Sequence, residues 1–238
     1  MTNKRLYAYA PLLFSSFSMA CPNWQASTTN NQISGWDHQL NPQNIRVVSD
    51  PKGSDARVVN LTITENSTWP NGHTRAEVKH DGCATHEGEN TYFSWEFYLE
   101  EPIKRFNHIA YWETAHSYQQ SMGFYLTPKI ENGKSITELA FFSNQPHPNV
   151  HWQTILQVGK WHKIAMAITW SEKKENGKIS LWFNGQKVVT QLAAKTKPDT
   201  HPLFIQLGLH RNQSEAPIDS IYIRKAKETT SLALLLNK

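Results

Sequence analysis

The chain has 238 residues, of which 39% are hydrophobic and 18% charged, and it carries a formal charge of +4 at pH 7. This composition is ordinary for a soluble globular protein and is long enough for one large β domain or two small ones. Its basic residues are spread singly, and a basic helix, a zinc-ligand spacing and an RNA-binding signature are all lacking, which argues against a nucleic-acid partner and for a mildly basic, solvated surface.

At the N-terminus, Lys4 and Arg5 precede an apolar run from Leu6 to Phe17 and small residues from Ser18 to Ala20. That is the three-part layout of a secretory signal peptide, and the run is too short to span a membrane. Cleavage after Ala20 would leave Cys21 first, as in a lipid-anchored protein. The alternative is a disulfide between Cys21 and Cys83, the two cysteines of the chain, in an oxidising compartment. Loss of the leader would also remove two positive charges and leave about +2. A polar N-terminal segment is expected from residue 21 to 32, structureless from Asn23 to about Asn31, followed by a single domain from 33 to 238.

From there to the end, short alternating segments recur between turn signals. Strands are predicted at 45–49, 57–64, 74–80, 91–99, 108–115, 122–127, 137–143, 162–170, 178–184, 187–191, 203–211 and 219–225. The breaks between them carry Pro-Lys-Gly at 51–53, Pro-Asn-Gly at 70–72, Asn-Gly at 132–133, 176–177 and 184–185, and Pro146 and Pro148. Several strands are two-sided. Phe93, Trp95, Phe97 and Leu99 share one face, as do Ile164, Met166, Ile168 and Trp170, and Leu203, Ile205, Leu207 and Leu209. Such alternation predicts an all-β sandwich or jelly roll of two antiparallel sheets, one of which curves into a concave groove suited to an extended polymer. The aromatic content of nine Trp, eight Tyr and ten Phe fits both a β core and sugar stacking. The apolar tail "SLALLLNK" is read as a last strand or a short packing segment.

The stretch "HTRAEVKH" puts Arg75, Glu77 and Lys79 on one face of a strand, with Ala76 and Val78 on the other. This is either a solvated ion-pair ladder or the floor of a site for a charged ligand. "TRAEV", "NHIAYWETAH" and "LFIQLGLHRN", followed by "PIDSIYIRK", together resemble the concanavalin A-like jelly-roll polysaccharide lyases. The likeness is to the heparin-lyase-I-like and glucuronan-lyase-like group, with alginate lyases as more distant relatives, and it spans about residues 33 to 225. "GKWHKIAMAITWSEKKENGKISLWFNGQKVV" resembles the Trp-His hairpin and Asn-Gly turn of the same fold class. Two departures stand out. Tyr111-Trp112-Glu113 occupies the family's Gln-x-His position, and Gly208-Leu209-His210 occupies its Gly-x-Tyr position.

The resemblance implies cleavage of an acidic, uronate-containing polysaccharide by β-elimination. Arg75 would offset the uronate carboxylate, because guanidinium binds carboxylate bidentately and keeps its charge. His210 would be the base and Tyr111 the acid, or Tyr111 both. Glu113 is a further catalytic candidate, and Gln206, Glu77 and Lys79 would bind sugar. A Glu77–Glu113 pair working as in glycosidases is a lower-ranked alternative. A non-catalytic carbohydrate-binding module or lectin is another, and a surface adhesion protein a third. The fold class often carries structural calcium, for which Asp219 is the candidate ligand with Asp37 or Glu89. The expected product is a monomer, secreted, periplasmic or displayed at the cell surface.

Overall fold

The computed structural model describes residues 23–29, 31–83, 85–145, 147–212 and 217–236. The predicted leader and Cys21 lie outside these residues. In chain order the strands are β1 (Trp24–Gln25), β2 (Ser27–Thr29), β3 (Gln32–Ser34), β4 (His38–Leu40), β5 (Ile45–Ser49), β6 (Arg57–Ile63), β7 (Thr74–Asp81), β8 (Asn90–Tyr98), β9 (Asn107–Thr114), β10 (Gln120–Glu131), β11 (Lys134–Ser143), β12 (Asn149–Leu156), β13 (Trp161–Thr169), β14 (Lys178–Phe183), β15 (Gln186–Ala193), β16 (Leu203–Arg211) and β17 (Asp219–Thr229). A single-turn 3-10 helix lies at Pro42–Asn44, and a short helix, α1, at Leu232–Leu236.

The strands form two stacked antiparallel sheets. One runs β15-β14-β13-β8-β17-β6-β5, with β1 also paired to β17, and the other runs β12-β11-β10-β9-β16-β7-β4. Sequence-distant strands become neighbours, such as β8 with β17 and β7 with β16, as a jelly roll requires. Between the sheets lies the core that the alternation predicted: Phe93, Trp95 and Phe97 from β8 meet Trp112, Phe124, Phe141 and the even face of β13. Trp95 stands at its centre, with ring centroids 5.4 Å from Phe124 and 5.8 Å from Phe93. Burying each such side chain contributes about 1.5–3 kcal/mol, so the outward polar faces are left to the requirements of the groove.

Two departures from the sequence expectations, and the choice between two readings of the tail, have physical reasons. The segment after residue 21 is not structureless: Trp24–Gln25 pairs with Lys227 and Glu228, and Ser27–Thr29 forms a hairpin with β3. Trp24 earns that ordering by stacking on His80 at 3.8 Å. β12 lies outside the predicted strands, because Pro148 and four polar residues mask an edge strand whose pairing with β11 needs no continuous apolar face. The apolar tail forms α1 and packs Leu235 against Ala165 and Trp182, on the outside of the sheet rather than within it.

Candidate active site

The β12-to-β4 sheet is concave, and a cleft of about 830 Å³ lies across β4, β7, β16 and β9. Arg75, Lys79, His108, Glu113, Gln206 and His210 line it, together with Trp69, Asn71 and His73 from the turn leading into β7, Tyr118 from the β9–β10 connection and Gln120 from the start of β10. The turn is set locally: Gly72 N donates to Trp69 O at 2.8 Å, and Trp69 N to His73 O at 2.7 Å. Gly72 supplies the positive φ of 82° that closes it.

Arg75 and His210 face each other across paired strands. Nη2 of Arg75 lies 3.1 Å from Nε2 of His210, and Nδ1 of His73 lies 2.8 Å from the same nitrogen. A guanidinium can only donate, so His210 accepts at Nε2 and, being neutral, carries its proton on Nδ1. That Nδ1 is buried without a hydrogen-bond partner. Burial, then the charge of Arg75 and the neighbouring His108 and His73, push His210 down to about 2. His73 is also lowered, by burial and by Arg75.

Beneath Arg75 lies Glu77, only 1% exposed, with Oε2 3.4 Å from the Nε of Arg75. Burial raises Glu77 to about 8, with the positive charge of Arg75 and then the Tyr111 hydroxyl, its one hydrogen-bonding neighbour, opposing that rise. The charge ladder on β7 is therefore not a solvated face. Nor does Glu77 line the cleft, so the expectation that it binds sugar directly is corrected: it lies under the floor and holds the guanidinium from below.

Tyr111 requires a similar correction. Its side chain is fully buried and its hydroxyl donates to Oε1 of Gln206 at 3.1 Å. Burial, followed by the charge of Glu77, raises it well above the usual phenol value. It is a floor residue and does not reach the cleft as an acid. Gln206 passes the contact on, its Nε2 donating to Oε2 of Glu113 at 3.3 Å. Glu113 does line the cleft, and burial raises it to about 7 despite Arg75. The Glu77–Glu113 alternative loses its geometry, because only one of the two carboxyl groups opens onto the cleft. Lys79 sits at the margin, paired with Asp81 at 2.7 Å and lying over the Phe204 ring.

Two glycines make this floor. Gly208, between Gln206 and His210, has φ +147°, and a Cβ there would lie 2.2 Å from Ala76 O. Gly123, opposite Tyr111, would put a Cβ 2.8 Å from the Tyr111 Cβ. Only a hydrogen at each position lets the buried Glu77 and Tyr111 layer fit between strands.

His73 and His108 escaped the sequence reading. His73 had a signal, since it stands two residues before Arg75. His108 did not, because strict alternation from Tyr111 and Glu113 puts it on the core side. The register shifts between His108 and Ala110 against both β10 and β16, so Ile109 goes into the core and His108 into the cleft. Burial lowers His108 to about 4.

The expected calcium ligands do not form a cage. Asp219 accepts from Lys104 N at 2.8 Å through Oδ1, and from Arg211 Nη2 at 3.1 Å and Asn107 Nδ2 at 3.2 Å through Oδ2. Asp37 shares His80 with Glu228, nine residues along β17 from Asp219, or about 30 Å away in a strand. Glu89 bonds the backbone of His86. Among the described residues no three His, Cys, Asp or Glu side chains converge as a metal site.

A model of the family described as polysaccharide lyase matches residues 26–227, most of the chain. The chain belongs to the polysaccharide lyase family. No curated protein matches this member of the family. Solved structures resemble it at low identity. The alginate lyase from Klebsiella pneumoniae is 10% identical, with 89% of this chain and 96% of that chain covered and a TM-score of 0.57. The catalytic domain of the glycoside hydrolase family 131 protein from Coprinopsis cinerea is 14% identical, with 83% of each chain covered and a TM-score of 0.56. A GH131 β-glucanase catalytic domain from Podospora anserina is 12% identical, with 79% and 80% covered and a TM-score of 0.54. These likenesses show the jelly-roll fold, which serves both lyases and hydrolases. No helix among the described residues of this polysaccharide lyase family member is long and apolar enough to cross a membrane.

Proposed function

We propose that this protein is a polysaccharide lyase of the heparin-lyase-I-like and glucuronan-lyase-like group, cleaving a uronate-containing polysaccharide by β-elimination. The observation that carries the reading is the guanidinium of Arg75 at the cleft floor, hydrogen-bonded to an unprotonated imidazole nitrogen of His210. A carboxylate clamp and a proton acceptor thus stand side by side.

A uronate carboxylate on Arg75 would take over the donor that now serves His210 and offset the charge that lowers it. Both effects raise the basicity of Nε2 against the remaining effect of burial. His210 then removes the C5 proton, and the negative charge spreading onto the carboxylate is held by Arg75 and Gln206. The C4–O4 bond breaks as the C4=C5 double bond forms, and Glu113, whose raised value keeps a protonated fraction near neutrality, donates its proton to the departing oxygen. Glu77 and Tyr111 position Arg75 and Gln206 from below. His73 shares the lone pair of His210 and positions its ring.

The basic Arg75 and Lys79 support an acidic substrate. The disulfide at Cys83 and the signal-like leader support a secreted, periplasmic or cell-surface location. The test is the ultraviolet absorbance of unsaturated uronate after incubation with a panel of uronans. Absorbance that appears with the wild type and is lost in Arg75→Ala is expected. Binding without absorbance would replace the lyase with a carbohydrate-binding protein, and new reducing ends without absorbance would replace it with a hydrolase.

A further inference from the structure

We propose that the polysaccharide path continues beyond the cleft onto an aromatic platform of Phe106 and Tyr125, backed by the buried Phe142, which binds the pyranose rings of further sugar units. This rests on the reading of the cleft as a polysaccharide site and adds to it the direction of the bound chain and a length preference. The cross-strand register carries the argument. Arg75 on β7 pairs with His210 on β16, His210 with His108 on β9, and His108 with Tyr125 on β10. These four side chains make one row perpendicular to the strands. At about 4.8 Å per strand the row extends about 14 Å from the guanidinium to Tyr125.

The aromatic groups continue that row without a break. Phe106 meets His108 edge-on at 5.1 Å and lies 5.1 Å from Tyr125. Tyr125 lies 5.6 Å from Phe142, tilted by only 36°, and Phe142 lies 5.5 Å from His108. Phe142 is packed down over Gly123, where a Cβ would come within 3.1 Å of its ring, so the floor stays low. Phe106, by contrast, is 43% exposed although it has aromatic neighbours that could have covered it. An exposed ring beside a half-buried tyrosine, in line with a charged clamp, fits the C–H faces of sugar rings better than a protein partner, which would need a wider apolar patch.

The experiment measures calorimetric binding of uronan oligosaccharides of increasing length in a Glu113→Gln background, which slows turnover by at least about 10²-fold. Phe106→Ala and Tyr125→Ala are expected to weaken long oligomers by about tenfold, with the loss growing with length, and Phe106→Trp to restore the affinity. A loss equal at every length, or none, overturns the platform. Wild-type turnover is followed separately on the same uronans. Turnover with length-independent affinities sinks the platform alone, and length-dependent affinities without turnover sink the lyase chemistry alone. Absence of binding to any oligosaccharide overturns both.

Discussion

Arg75 Nη2 and His210 Nε2, 3.1 Å apart on adjacent strands, form a donor–acceptor pair in which the histidine is held neutral first by its burial and then by the cation it faces. Glu77 lies 3.4 Å from the Nε of the arginine, and burial raises its carboxyl to about 8, so the cleft floor is positive at neutral pH. Ligand carboxylate and imidazole compete for the same guanidinium.

Arg75→Lys keeps the charge but loses the planar fork. The expected result is a fall of about 10²–10³ in kcat with a smaller change in KM, measured by steady-state absorbance assays, since the lost donor acts chiefly where charge develops. Full activity in the lysine variant would remove Arg75 from the clamp role.

Glu113 and Tyr111 are separated by their exposure. Glu113→Gln is expected to lose at least about 10²-fold in kcat, the usual contribution of a general acid. Tyr111→Phe, which removes the hydroxyl that bonds Gln206 and meets Glu77, is expected to lose about tenfold or less. The wild-type rate should fall as pH rises through about 7, where Glu113 loses its proton. Rate profiles of the two variants against pH check this, and a larger loss in Tyr111→Phe would return the acid role to the tyrosine.

Folding stability should pass through a plateau in pH. His210 and His108 have folded values of about 2 and about 4 against an ordinary 6.5, so the unfolded chain binds more protons below 6.5 and stability falls with acid. Glu77 and Glu113 have folded values of about 8 and about 7 against an ordinary 4.5, so the folded chain binds more protons and stability falls as pH rises from 4.5 toward 8. The opposed slopes cancel between pH 4.5 and 6.5, and thermal midpoints should decline on either side. Glu77→Gln should flatten the alkaline decline. An unchanged slope in that variant would show that Glu77 is ionised in the fold.

Gly208→Ala should be destabilising by about 1–3 kcal/mol or more, because its Cβ would press on Ala76 O at 2.2 Å and the backbone is held at φ +147°. Denaturant unfolding measures it. A neutral substitution would show that β7 and β16 can separate without cost.

Cys83 is in a disulfide, so Cys83→Ser, or reduction of the wild type, should cost about 2–5 kcal/mol in thermal unfolding. An identical midpoint in reductant would show that the bridge contributes nothing to folding.

The sequence by itself determined the all-β class, the core faces of β8, β13 and β16, and the strand that carries Arg75, because burial of an alternating apolar face is written residue by residue. Gln206 and His210 were groove residues by the polar parity of their strand and Glu113 by its resemblance to the family's Gln-x-His strand, and all three line the cleft. Depth was decided by the tertiary structure. Glu77, Tyr111 and Glu113 share the polar side of the sheet, yet two lie beneath the floor and one opens onto the cleft, and only the layering over Gly123 and Gly208 distinguishes them. Parity was decided there too: the bulge that turns His108 into the cleft comes from pairing against β10 and β16, strands remote in sequence whose register no local pattern records.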